Sequence, residues 1–156
     1  MAEHERRAKG ASSAPAGASE GGSREALERA NEAYYRAFEE LDLAAMDRAW
    51  AHVPYAACIH PGQEALTGWD DVRQSFEAIF AGTEEIHFKL SELRFEVRGD
   101  IAWATLVEHI RHGDDVLVEV QSTNLFERTK DGWRMILHHA SPVSDEAGEP
   151  DTDYLQ

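Results

Sequence analysis

The sequence predicts an α+β domain in which three N-terminal helices pack on a curved, mainly antiparallel sheet. Apolar residues recur at three-to-four spacing between Leu27 and Phe80, then alternate at a spacing of two from Ile86 onward. Turn signals return regularly in the second half, at Gly99-Asp100, Gly113-Asp114-Asp115 and Lys130-Asp131-Gly132, with long strand-like runs between them. Helices therefore precede a meander.

The first helix is read from Ser23, with Leu27, Ala30, Tyr34, Phe38 and Leu41 as one apolar stripe opposite Glu and Arg. Asp42 suits the N-cap of a second helix carrying Leu43, Met46, Trp50 and Val53, which Pro54 ends. "AACIH", residues 56–60, is a short apolar run closed by Pro61-Gly62, most simply a buried strand. Thr67 and Asp70 have capping-box spacing before a third helix faced by Val72, Phe76, Ile79 and Phe80, which Gly82 can stop. Ile86, Phe88 and Leu90 alternate in one phase and Leu93, Phe95 and Val97 in the other, which places a bulge near Ser91–Glu92. Strands at 101–111, 116–128 and 133–141 complete the sheet. Bent under its helices, such a sheet leaves a hollow, and apolar hollows holding a few polar groups are default ligand sites.

With 156 residues, 42% of them hydrophobic, the chain has material for one core. The domain is read as 23–142, between a Gly-, Ala-, Ser- and Glu-rich tail at 1–22 and an acidic tail at 143–156, both expected to be disordered. Net charge is −15, of which the span 23–142 carries −10, and that opposes binding to nucleic acid or anionic membrane. No run approaches the ~18 apolar residues that a spanning helix needs, and the N-terminus lacks the apolar middle of a secretory leader, so a cytoplasmic protein is expected. The single cysteine, Cys58, sits in "YAACI" and reads as a small buried hydrophobe. Eight histidines include no HxH or HExxH pattern; no metal is expected, and nothing calls for another cofactor.

The element order, with "CIHPG", "TGW" before an apolar helix and "GWRMILHHASP" at the end, resembles the SnoaL-like branch of the nuclear transport factor 2 (NTF2)-like superfamily over about Ser23–Pro142. The resemblance implies a cone-shaped fold, a small hydrophobic ligand and often a homodimer through the convex sheet face. The superfamily that this chain resembles includes isomerases, cyclases, dehydratases, epoxide hydrolases and many proteins with no known reaction, so the fold alone does not decide the function. Compared with ketosteroid isomerase, Tyr34 stands eight residues before Asp42, as that enzyme's donor tyrosine stands before the Asp opening its second helix. His60 precedes Pro61 where the isomerase has its base aspartate. The isomerase's third residue, an acid, falls near Ser122 with Asn124 close by, so that constellation is incomplete.

The resemblance leaves acid–base chemistry open, with His60 as base and Tyr34 as donor to an oxyanion; equally, the His60 ring could cap the Pro61–Gly62 turn and the Tyr34 hydroxyl could serve the core. In the last strand, taking Arg134 as outward directs Trp133, Met135, Leu137, His139 and Ser141 to the helices and Ile136, His138 and Ala140 away. His139 is thus the expected second base. Glu108 and Glu119 lie on central strands and could be buried carboxylates with raised pKa, but solvated positions on the outer face are the favoured reading. Trp69, Phe76, Ser122, Asn124 and Leu137 are the expected ligand-binding residues. The competing reading is a non-catalytic homodimerisation or association module using Ile136, His138 and Trp103 on its sheet face.

Overall fold

The computed structural model describes residues 16–144; of the tails expected at 1–22 and 143–156, residues 1–15 and 145–156 lie outside the described residues, while 16–22 belong to the first helix and not to a disordered tail. Three helices, α1 (Ala16–Glu39), α2 (Leu43–Ala49) and α3 (Trp69–Ala81), pack on one face of a curved, open, mixed sheet. The sheet contains β1 (Ala57–Ile59), β2 (Leu66–Thr67), β3 (His87–Arg98), β4 (Ile101–His112), β5 (Asp115–Thr129) and β6 (Gly132–Pro142), in the order β2-β1-β6-β5-β4-β3. Strands β3 to β6 form the expected antiparallel meander, while β1 joins β6 in parallel. Among the described residues no helix is long and apolar enough to cross a membrane.

Local chemistry explains most boundaries. Asp42 caps α2, its carboxylate accepting the Ala45 N–H at 3.0 Å. The helix stops at Ala49, short of Val53, because Trp50 turns extended and bridges Met135 of β6. The capping box at Thr67 does not form. Thr67 is held in β2 opposite Ala57, and Gly68 caps α3 by backbone alone at φ 91°, its N–H bonded to the Ala56 carbonyl at 2.7 Å. Gly68→Ala is expected to destabilise the fold by about 1–3 kcal/mol, read as a lower urea midpoint, because that φ with ψ 139° is nearly glycine-only backbone. Gly82 ends α3 as expected.

The bulge expected in β3 is present. Ser91 faces Val107 and Arg94 faces Thr105, so Glu92 and Leu93 share one opposite residue, with Glu92 at φ 53°. A second bulge was not expected, and it matters more. Leu125 faces Leu137 and Phe126 faces Met135, which leaves Ile136 as an extra residue in β6. Alternation reverses across it: Trp133 and Met135 point inward, but so do His138 and Ala140. His138 is 3% exposed, whereas His139 is exposed and Leu137 half-buried on the outer face. The inward placement of His139 and Leu137, and the outward placement of His138 and Ala140, are thereby corrected. Ile136 is buried too, which removes it from the proposed contact face.

The hollow expected between helices and sheet is packed. Tyr34, Trp50, Phe76 and Phe126 are each at most 1% exposed. Phe76 lies within 6.2 Å, ring centre to ring centre, of Tyr34, Phe38, Trp50, His60 and Phe80. Trp69 is buried at the start of α3, stacked on His52 at 4.7 Å and tilted against Trp50, so it closes the α2 side of the core.

Candidate functional site

Strand register gathers polar side chains on the inner face. Ala104, Asn124, His138 and Cys58 form one cross-strand row from β4 to β1. Glu108 and Ser122 point the same way, as the even-numbered residues of β4 and β5 do. Against them α1 lays Asn31, Tyr34 and Tyr35, which share one helix face by their spacing of three and four. All of these are at most 4% exposed.

Most are joined in one network. The Tyr35 hydroxyl donates to Glu108 Oε1 at 2.6 Å. Asn124 Nδ2 donates to Asn31 Oδ1 at 2.9 Å and to the Tyr35 oxygen at 3.0 Å, and Asn124 Oδ1 lies 2.6 Å from His138 Nδ1. His138 Nε2 is 3.9 Å from Glu108 Oε1, beyond hydrogen-bonding distance. The His138 ring also lies 5.1 Å from the Tyr34 ring. At the end of β1, His60 is 6% exposed, with Nε2 3.0 Å from Ser75 Oγ of α3 and Cys58 Sγ within 3.8 Å of its ring nitrogens. Among the described residues, three buried polar atoms meet no partner: the Tyr34 hydroxyl, Trp50 Nε1 and the Ser122 hydroxyl. Ser122 is close enough to Glu108 to favour its charged form without reaching hydrogen-bonding geometry.

Burial dominates the electrostatics. It lowers the His138 pKa to about 3, helped by His60 and His139 nearby, and it lowers that of His60. It pushes the Cys58 thiol up to about 12 and both tyrosines well above their ordinary value. Glu108 is raised by burial, against the Tyr35 hydrogen bond. At neutral pH both imidazoles are therefore uncharged, and the phenols and thiol keep their protons.

A pH dependence follows. The unfolded chain takes up a proton at His138 near pH 6.5, which the folded chain refuses until about 3. This stabilising contribution is complete above 6.5 and is lost as pH falls toward 3. His138→Gln should flatten the acid limb of stability by up to about 1.4 kcal/mol per pH unit, measured as urea midpoints between pH 7 and 5.

Of the residues singled out from sequence, His60, Tyr34, Phe76, Ser122 and Asn124 meet on the inner face, Trp69 walls its α2 side, and His139 and Leu137 lie outside. Glu108 is 2% exposed, the buried-carboxylate alternative and not the favoured outer position, while Glu119 is exposed as favoured. Missed were His138, Tyr35 and Asn31. Asn31 had a legible signal: a polar residue four after Leu27 and three before Tyr34, inside the apolar stripe of α1. Among the described residues no cluster of three or more His, Cys, Asp or Glu could hold a metal ion.

Residues 27–145 match the SnoaL-like domain family. The chain belongs to that family. A solved NTF2-like protein from Streptomyces avermitilis, provisionally assigned as a dehydratase, is 37% identical to this SnoaL-like chain; the likeness covers 80% of this chain and 99% of that one, with TM-score 0.76. A Thiobacillus denitrificans structure, provisionally assigned as a calcium/calmodulin-dependent protein kinase type II association domain, is 32% identical over 75% of this chain and 94% of its own, with TM-score 0.70. The F-box protein SKIP8 of Arabidopsis thaliana is 30% identical over 112 residues, 71% of this chain. The SnoaL-like chain spans about half of that relative, 47% of its length.

Proposed function

We propose that the inner face binds a small, mainly apolar molecule and acts on it by acid–base catalysis, with His60 and His138 as proton acceptors and Tyr34 as donor to a developing oxyanion. The observation that carries this reading is the set of unpartnered polar atoms beside the network. A buried donor without a partner costs about 1–3 kcal/mol, and an apolar side chain of similar shape would avoid it. Such costs persist where a site needs the group. The S. avermitilis neighbour, assigned as a dehydratase, fits a reaction that moves protons.

The buried polar residues include no Lys or Arg among the described residues, so the site suits an uncharged ligand, such as a hydrophobic carbonyl compound. Entry requires the packed interior to give way. Half-buried Phe38, in ring contact with Phe76, Phe80 and Phe88, is the side chain placed to move. In a thermal-shift screen with hydrophobic ketones, a ligand at ~100 times its dissociation constant should stabilise the fold by roughly 2.7 kcal/mol. His60→Ala and Tyr34→Phe should weaken that response and any turnover while the proteins stay folded. No response to any ligand, or full activity in both variants, would exclude the roles assigned.

A homodimer through the outer sheet face accompanies this proposal. Trp103, Leu125 and Leu137 lie side by side across β4, β5 and β6, half-buried on the outer face. The same apolar row would serve an association role like that assigned to the T. denitrificans neighbour, but that role gives no reason for the buried network. Light scattering should report a dimer, which Leu125→Glu converts to a folded monomer; a wild-type monomer at working concentration would contradict the interface.

A further inference from the structure

We propose that Asn124 and Ser75 are positioning residues that lock His138 and His60 into opposite neutral tautomers, leaving His138 Nε2 and His60 Nδ1 as bare ring nitrogens. The assignment follows from counting protons. The Tyr35 hydroxyl has one, and at 2.6 Å it goes to the Glu108 carboxylate. Its lone pair then faces the Asn124 amide at 3.0 Å, which must present its NH2. The other proton of that NH2 meets Asn31 Oδ1 at 2.9 Å. Held at two points, the amide can turn only its oxygen to His138 Nδ1, 2.6 Å away. An acceptor there keeps the proton on Nδ1, and a neutral ring then has none on Nε2.

His60 is fixed the other way. The Ser75 hydroxyl donates its proton to the Val72 carbonyl at 2.6 Å, so toward His60 Nε2, at 3.0 Å, Ser75 Oγ can only accept. The proton of His60 therefore sits on Nε2. The Cys58 sulfur, a weak partner 3.8 Å from Nδ1 and 3.6 Å from Nε2, does not choose between the two nitrogens, so Ser75 sets the tautomer. Cys58 pairs with His138 in the sheet, and His60 lies two residues farther along the same face, so the two rings are near diagonal neighbours. A ligand set against them would have to bring hydrogen-bond donors, and a proton leaving it would find two acceptors. That consequence rests on the proposed acid–base function; the tautomers do not.

Long-range proton–nitrogen correlation spectra of the 15N-labelled full chain at pH 7 read both rings directly. His138 should be protonated on Nδ1 alone and His60 on Nε2 alone. Asn124→Asp keeps an acceptor oxygen and should retain the Nδ1 proton of His138. Asn124→Leu, close in volume but without the acceptor, should shift that proton to Nε2, and Ser75→Ala should leave His60 a mixture. A wild-type His138 carrying its proton on Nε2, or a wild-type His60 carrying it on Nδ1, overturns the proposal with no variant needed; unchanged tautomers in Asn124→Leu and Ser75→Ala overturn the positioning roles. Absent ligand binding with both tautomers as assigned would instead count against the proposed function alone.

Discussion

Phe76→Ala should lower the unfolding free energy by about 3–5 kcal/mol, the range for truncating a fully buried phenylalanine. Phe76 is 0% exposed and touches rings from α1, from Trp50 just after α2, from α3 and from the end of β1, so the cavity it leaves has walls on every side that cannot all close. Urea unfolding should show a lower midpoint at unchanged slope. The size of the loss also decides between a filled and a hollow cone. A loss below about 1 kcal/mol would mean that Phe76 borders open space, contrary to the packing described.

Tyr35→Phe is the second large effect. It removes the donor to the Glu108 carboxylate and one acceptor of the Asn124 amide, and a buried hydrogen bond to a charged group is worth about 1.5–3 kcal/mol. The loss should depend on pH with a definite sign. Burial raises the Glu108 pKa, while the Tyr35 hydrogen bond works to lower it. Without Tyr35 the folded-state value climbs further above that of the unfolded chain. Between those two values the folded state holds a proton that the unfolded state has lost, so stability falls as pH rises through the window. The variant should therefore be most destabilised above the raised Glu108 pKa and recover toward wild type as pH drops through it. Urea midpoints across pH 4.5 to 8 would show this as a widening gap between the two proteins. A gap constant with pH would mean that Glu108 is not the group Tyr35 serves.

Much of the architecture was legible because periodicity reports burial directly. Leu27, Ala30, Tyr34 and Phe38 mark the buried side of α1, and the phase change between Leu90 and Leu93 marks the β3 bulge. The β6 bulge left no such mark. Ile136 is apolar, as are Met135 and Leu137, so nothing in "WRMILHHAS" shows where alternation slips, and one extra residue exchanged the places of His138 and His139. Glu108 reads more readily as an outer-face residue than as a buried one, for a different reason. It keeps phase with Ala102, Ala104, Leu106 and Ile110, all buried, but a carboxylate is ordinarily solvated, and the tyrosine that makes its burial tolerable lies 73 residues away. Thr67 illustrates competition: its capping spacing was sound, but the pairing of β2 with β1 took the residue first.

Central to the proposed function is that the inner-face network receives a ligand. The most direct measurement is an NMR titration with a ketone identified by thermal shift, followed through the side-chain signals of His60, His138 and Tyr34. A ligand-binding core predicts saturable shifts at all three with a common dissociation constant, and their loss in Tyr34→Phe. Shifts confined to Trp103, Leu125 and Leu137 on the outer face, with both imidazoles unmoved at saturation, would contradict it.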